Sequence, residues 1–478
     1  MSGESSQKRR KNKDVSSSDS SDDEDSDEDT TEHQWVKEDP GRVGSNIPPI
    51  LPVDFSEEDK LKLEKLKTAL DYYLLFQSDE WLSVIVEESR KYAISRGMES
   101  KLELINVSNL RCAEAVLLHT GYHQIPQRKM VWERSGDCHN PFIADAIRRD
   151  TFDGILQCLH FRDNGEIDND IYYKVRPIFD NLNKGSKFFL PGSHKFSVDE
   201  IMIPYFGRHS TKQYIRGKPV RYGYKVWSLC TSDGAGMKFE PYCGKHTAIR
   251  DIKLGQGPNV VMDLVTKAEL VTGSEVFFDN LFTSFPLLEK LSEAKIAGTG
   301  TMRVNRLKKV PIKQKKDLSK KSVPRGELHT VYRADQVLVG WKDNKAVYVS
   351  SNKFGGAATG TCKRFNRTER KYVDIPCPDV VVAYNGGMGG VDLLDNMVAR
   401  HRIQLRKKKW WFPIYSWSLN VSTVNTWRMR QRMTGKKEPY LPFLRELVVE
   451  LLSKYGSQPH QGRRSLVTAP RDIHQSIR

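Results

Sequence analysis

The sequence runs to 478 residues, 38% of them hydrophobic, with 76 Lys/Arg against 60 Asp/Glu and a net charge of +16. That is enough chain for two or three domains with sizeable cores, and no stretch approaches 18 uninterrupted apolar residues, so neither a helical membrane span nor a membrane partner is expected. Residues 1–40 hold 6 Lys/Arg and 13 Asp/Glu, which leaves +23 on the remainder, and a body that basic points first to nucleic acid.

Residues 1–54 read as a disordered acidic, Ser-rich tail, because "SSSDSSDDEDSDEDTTE" has no apolar side chain to bury. Its serines lie beside acids and suit acidophilic kinases, although a plain solvated tail is the simpler reading of any single serine. "MSGESSQKRR" lacks the apolar centre of a secretory signal. "QKRRKNK" (7–13) is a candidate nuclear import signal, and the nucleus is the expected location.

Order is expected from Phe55. Ser56 with Asp59 resembles a capping box, and Leu61, Leu63, Leu66 and Leu70 follow at roughly helical spacing. "SDEWLSVIVEESRKYAISRG" gives a second helix with Ile85 and Tyr92 inward and Gly97 as its stop. The pattern stays helical to residue 190. It then changes to strands: 194–207, 222–234 and 236–245, with Ser232-Asp233-Gly234 as a turn. A helix (259–270), the strand "SEVFFDN", a helix (285–295) and a strand (296–304) complete a β-β-β-α-β-α-β order. A meander followed by crossover units predicts a mixed sheet flanked by helices.

Residues 303–325 carry ten Lys/Arg and one acid and read as a loop leading into a separate unit. Short strands follow over 329–352 around an Asp343-Asn344 turn, then a helix over 391–402 after "YNGGMGG", then a basic, aromatic helical region to about 455. The seven cysteines (112, 138, 158, 230, 243, 362 and 377) include no CxxC pair, so no zinc site is expected and a reducing compartment suits them.

Three acids stand where a phosphodiester-cleaving metal site would need them. Mg2+ takes oxygen ligands and keeps several waters, and two such ions can clamp the attacking and leaving oxygens of a phosphodiester. Asp199 lies within the first strand in "FSVDE", Asp279 ends the fourth strand in "FFDN", and Asp392 starts a helix in "GGVDLLDN". Neighbouring strands would set Asp199 against Asp279, and Asp395 falls nearly on the face of Asp392. Each acid also has a structural reading: a strand-edge acid for Asp199, an Asx turn for Asp279, and helix-dipole complementarity for Asp392.

The stretches "SVDEIMIPYFGRHSTKQYIRGKPVRYGYKVWSLC", "FFDNLFTSFPLLEKL" and "GGVDLLDNMV" closely resemble piggyBac-type transposases, as do "FQSDEWLSVIVEESRKYA" and "NPFIADAIRRDTFDGILQCLHFRDN". The likeness runs from about residue 70 to 435 and points to the vertebrate piggyBac transposable element-derived proteins. It implies an α/β fold: an RNase H-like mixed-sheet catalytic domain with an inserted small β-containing unit, flanked by a helical dimerisation and DNA-binding region built from both sides of the chain. The expected segments are the tail 1–54, helical region 55–190, catalytic domain 191–304, insertion 305–378, the last catalytic part 379–402, the second helical part 403–460, and a flexible tail 461–478.

By motif, the resemblance assigns Asp199, Asp279 and Asp392 as a catalytic triad that binds Mg2+ (Mn2+ may substitute), with Asp395 as a further ligand. It implies hydrolysis at a transposon end, hairpin formation by the freed 3′-hydroxyl, and joining to double-stranded TTAA target DNA by a homodimer. Active members usually end in a cysteine-rich, zinc-binding domain that reads the transposon ends, whereas no cysteine follows Cys377 here. The alternative reading is therefore a non-transposing DNA-binding or chromatin-associated derivative.

Between Asn396 and Lys437 there are eleven Lys/Arg and no acid. Cations neutralise phosphates and aromatics stack on exposed bases. Arg406, Lys407, Lys408, Lys409 and Trp410 are the first DNA-contact candidates, while Tyr415, Trp417 and Trp427 read as core. The basic run from Arg303, with Arg306, Lys308 and Lys309, is the second candidate, and Arg216, Lys218 and Arg221 are the third.

Overall fold

The structure, a computed structural model, describes residues 34–133, 137–244, 251–367 and 369–457. The candidate import signal and the acidic Ser-rich run lie outside the described residues, but 34–54, the last part of the expected disordered tail, pack on the body: Val36 bridges Tyr332, Trp35 meets the Phe285 ring and Ile47 is buried. Among those that are described, no helix is long and apolar enough to cross a membrane.

The first region is helical: α1 (Glu57–Glu64), α2 (Ala69–Tyr73), α3 (Asp79–Ser95), α4 (Val107–His119), α5 (Pro141–Ala146), α6 (Arg149–Cys158) and α7 (Arg176–Lys184). Side-chain caps set several starts. Ser56, Ser78, Asn106 and Asn140 each accept the backbone N–H three residues on, which satisfies donors that the first helical turn leaves free. The leucine spacing over 61–70 suggested one helix, but Thr68 and Asp71 form a full capping box that starts α2 anew. Leu61 is accordingly exposed, whereas Leu63 and Leu70 are buried. Ile85 is buried as expected, and Gly97 takes a positive φ of 65° just past α3.

The strands are β1 (Lys195–Pro204), β2 (Gln213–Tyr214), β3 (Tyr222–Thr231), β4 (Gly236–Pro241), β5 (Glu275–Phe278) and β6 (Ala297–Thr301). Helices α8 (Gln256–Lys267) and α9 (Phe285–Glu293) make the crossovers that bring β5 and β6 parallel to β1. The meander β1–β3–β4 is antiparallel. The result is the mixed α/β sheet expected.

The insertion departs from expectation in one respect. Helix α10 (Lys315–Leu318) and strands β7 (Leu328–Arg333), β8 (Gln336–Lys342) and β9 (Ala346–Ser351) do not stand apart. β9 pairs with β6, so one sheet runs β2-β3-β1-β5-β6-β9-β8-β7, with β4 on β3. A bare β6 would leave an unpaired, aggregation-prone edge next to the core. Among the described residues, the hairpin β10 (Gly360–Asn366) and β11 (Lys371–Cys377) forms a second sheet. The basic run is likewise not a free loop, since Leu307, Val310, Ile312 and Leu318 bury in a small core with Tyr348.

The chain returns through α11 (Asp379–Gly387), α12 (Gly390–Arg400), α13 (Phe412–Thr434) and α14 (Tyr440–Tyr455). Strand alternation divides the packing. Ile201, Ile203, Tyr224 and Val226 join the core with α4, α6, α13 and α14, while Phe196, Val198, Trp227 and Leu229 face α8 and α9. Tyr415, Trp417 and Trp427 are buried, as read from the sequence. Helix α13 is buried nearly all round and carries polar groups inward. Asn425 brackets Gly236, accepting its N–H at 2.9 Å and donating to its carbonyl at 2.8 Å.

At the centre of the helical core, Glu114 of α4 is fully buried and accepts Tyr415 Oη at 3.2 Å and Tyr73 Oη at 3.4 Å, with Arg111 3.8 Å away. Burial pushes its carboxyl up to about 7 against the pull of Arg111. The folded state therefore holds this proton more tightly than the unfolded chain. The associated stability is full below the ordinary glutamate range and is lost as pH rises through about 7. Thermal melts at about pH 5 and pH 8 should show the wild type losing on the order of 3 kcal/mol from this group, and Glu114→Gln should flatten that loss.

Candidate active site and nucleic-acid interface

Strands β1 and β5 lie side by side in parallel register, with Val198 opposite Phe278. The next residue of each chain is an aspartate. All four residues of β5 are buried, and Asp279 is the first position where the chain can turn outward. Its Oδ1 accepts the N–H of Leu281 at 2.8 Å, so the Asx-turn reading also holds. Asp199 Oδ1 accepts the N–H of Glu200 at 2.7 Å.

The third segment is pressed onto this pair by two glycines. A Cβ on Gly387 would lie 2.1 Å from the Phe277 ring, and one on Gly390 would lie 2.2 Å from the Thr231 carbonyl oxygen. Ser197 Oγ accepts the N–H of Val391 at 3.1 Å. That bond ties the first turn of α12, and Asp392 with it, to β1 two residues from Asp199. Asp392 is exposed and Asp395, one turn later, is half-buried. The glycine-rich approach is thus a packing requirement at Gly387 and Gly390, while Gly386 and Gly389 face open space.

The electrostatics show these acids sharing one neighbourhood. Burial pushes the Asp199 carboxyl up to about 8, with Glu200 and then Asp279 adding repulsion. Burial also raises Asp279, with Glu200 adding, and raises Asp395, with Asp392 adding. Two cations answer them. Lys218 Nζ pairs with Glu200 at 3.0 Å and lies in the field of Asp199 and Asp392. Lys225 stands in the field of Glu200, Asp199 and Asp279, 3.7 Å over the Trp227 ring, and burial pulls its ammonium down. Tyr384 of α11 feels Asp279, Asp199 and Asp392, and burial pushes it up to about 12. Among the described residues, no three His, Cys, Asp or Glu side chains stand close enough to hold one ion together.

Glu200, Lys225 and Tyr384 were missed by sequence reasoning. Glu200 sits inside the "SVDE" motif, and alternation alone would send it to the opposite face from Asp199. Lys225 and Tyr384 carry no spacing signal. Lys218 was read as a phosphate contact, but the β1–β3 meander carries it back onto Glu200 instead.

The remaining basic candidates divide. Arg216, Arg221, Lys308, Lys309, Arg406, Lys408 and Lys409 are exposed. Arg303 Nε donates to Asn280 Oδ1 at 3.1 Å, and Arg306 donates to the carbonyls of Thr283 and Asn280. These two arginines therefore latch the loop that follows Asp279. Lys407 departs from expectation: its Nζ donates to the Leu156 carbonyl at 3.0 Å, and burial, with Arg128 adding, pulls it down to about 8. Trp410 is half-buried, 4.5 Å from His209 between ring centroids, and its carbonyl accepts Tyr224 Oη at 3.2 Å.

The sequence profile described as transposase IS4 matches residues 68–427. The human PiggyBac transposable element-derived protein 3 is 34% identical over 407 residues, covering 84% of this chain and 67% of that protein. The human PiggyBac transposable element-derived protein 2 is 31% identical over 413 residues, covering 85% and 69%. Among solved structures, the cryo-EM structure of a piggyBac transposase synaptic complex with hairpin DNA superposes with a TM-score of 0.68 at 24% identity, over 82% of this chain and 81% of that one. This likeness establishes the RNase H-like arrangement of the mixed sheet.

The two kinds of glycine give a direct test. Gly390→Ala drives a methyl into the Thr231 carbonyl and should cost about 1–3 kcal/mol in chemical denaturation. Gly386→Ala, within α11 and facing open space, should be neutral or stabilise by up to about 1 kcal/mol.

Proposed function

Since the chain belongs to the piggyBac-type transposase family, we propose that it is a divalent-metal-dependent DNA cleavage and strand-transfer enzyme acting at TTAA sites, with Asp199, Asp279 and Asp392 as its catalytic acids. The observation that carries this reading is the juxtaposition of Asp199 and Asp279 in the β1–β5 register, with α12 tied to the same strand through Ser197. The donor set consists of carboxylate oxygens, which suit a hard cation. Mg2+ takes one or two protein carboxylates and completes its shell with water and substrate oxygens, so Asp199, Asp279, Asp392 and Asp395 are the residues that would hold it. When bound, Mg2+ or Mn2+ would supply Lewis-acid activation of the phosphodiester.

The chain's own residues do the rest. Lys218 holds Glu200 and offsets the negative field around Asp199 and Asp392. Arg303 and Arg306 fix the loop after Asp279, which keeps that carboxylate from drifting. Exposed Arg216, Arg221, Lys308, Lys309, Arg406, Lys408 and Lys409 provide phosphate contacts. Helices α2 to α7 share one hydrophobic core with α13 and α14, which supports reading 55–190 and 403–460 as a single DNA-binding and dimerisation region. A protein acting on genomic DNA in this way works in the nucleus.

One observation favours the second reading, a DNA-binding derivative that no longer transposes. Lys218 already pairs within the acidic cluster, and no three of the described acids gather around one point.

Incubation of purified protein with DNA ends of the piggyBac type, with Mg2+ or Mn2+, separates the two. The enzyme reading expects cleavage that Asp279→Ala abolishes while binding stays within about twofold; tight binding without cleavage or joining by the wild type would establish the second. Affinity should fall with salt at about −0.9 in log K per log salt for each duplex phosphate neutralised. Removing Arg406, Lys408 and Lys409 together should make that slope shallower by up to about 3.

A further inference from the structure

A second concave site lies away from the carboxylates, where α3, the segment after α6 and the segment before α13 meet. It encloses about 420 Å³, within the range of cavities that take small ligands. Its floor is aromatic. Tyr92 and His160 stack at 4.4 Å with their planes 3° apart, and Trp410 forms part of the wall. Its rim is cationic. Arg96 lies 5.6 Å from the Tyr92 ring centroid, and Lys174 and Lys409 line the opening. Among the described residues, no carboxylate lines it. His160 is buried, and burial, with Lys174 and Lys409 adding, lowers its imidazole pKa against the pull of Asn164 and Glu88.

Aromatic side chains together with three cations in one cavity lining match a nucleobase with its phosphate: the aromatics and Trp410 offer apolar contact and the cations take the charge. The position also fits. Tyr224, which donates to the Trp410 carbonyl, pairs with Ile203 on β1. Ile203 lies four residues along the same strand as Asp199 and, with Tyr224, is buried in the core, so the Trp410 segment is joined to the carboxylate strand through packed side chains.

We infer that this cavity captures an unpaired base, with its phosphate, from the DNA strand that passes the carboxylates. The inference rests on the DNA-acting reading of the protein and adds a preference for DNA with a single-stranded segment. No duplex contact needs the cavity, because a paired base presents no free face to it.

The test compares full-length protein binding a blunt duplex with the same duplex carrying a six-nucleotide single-stranded extension, with 2-aminopurine scanned through the extension. The extension should tighten binding about tenfold, and one 2-aminopurine position should be quenched by stacking. Arg96→Ala combined with Lys174→Ala, both off the core, should remove that gain while leaving blunt-duplex affinity within about twofold. No gain from the extension, or a gain that survives the double substitution, overturns the inference while duplex binding persists. Loss of blunt-duplex binding by the wild type would instead overturn the DNA-acting reading itself. Displacement of the extension by free dAMP at micromolar concentration would show a mononucleotide site and overturn the assignment to a strand.

Discussion

The parallel register of β1 and β5 is the constraint on which the site depends. Pairing Val198 with Phe278 leaves the next residue of each strand level, and a slip of one residue would turn every side chain of β5 to the opposite face. The register is itself held by burial. Phe196 and Val198 face α8 and α9 together with Val276 and Phe278, so the apolar set fixes the polar one. α12 is then fitted to this pair by contact that tolerates no side chain at Gly390. Three distant pieces of chain are thus aligned by packing, by the β1–β5 ladder and by the Val391–Ser197 hydrogen bond.

That arrangement carries an electrostatic cost. Half-buried carboxylates in one field repel, and desolvation adds to the penalty. The fold compensates by leading Lys218 and Lys225 into the same field from the β1–β3 meander. A lysine on a long stem suits this place better than an arginine, since it is a point charge that a competing cation can displace without breaking a bidentate pair.

Much of this was legible in the chain. The β-β-β-α-β-α-β order follows from hydrophobic period and turn residues, and the four aspartates stand in motifs at strand and helix ends. What escaped were pairings set by tertiary closure. Period shows that 329–352 is strand, but nothing local says that Ser351 will pair with Thr299 and weld the insertion to the sheet. Charge marks Lys407 and Arg306 as basic, yet each spends its donors on nearby carbonyls. Trp410 reads as a free aromatic until His209 and Tyr224 are seen to hold it. Glu200 and Lys218 look independent because the meander that joins them is long-range.

The helical core also bears on how the protein is made. Helix α14 packs on α4 and α2, and α13 on α2 and α7, so those faces of the early helices stay open until the last helices have left the ribosome. The whole sheet is synthesised in between. The nascent chain must therefore keep Leu110, Val116 and Leu117 from premature association while some 300 residues are added at about 5–20 residues per second. Translation products that end before α13 would expose the faces of α2 and α4 that the last helices cover.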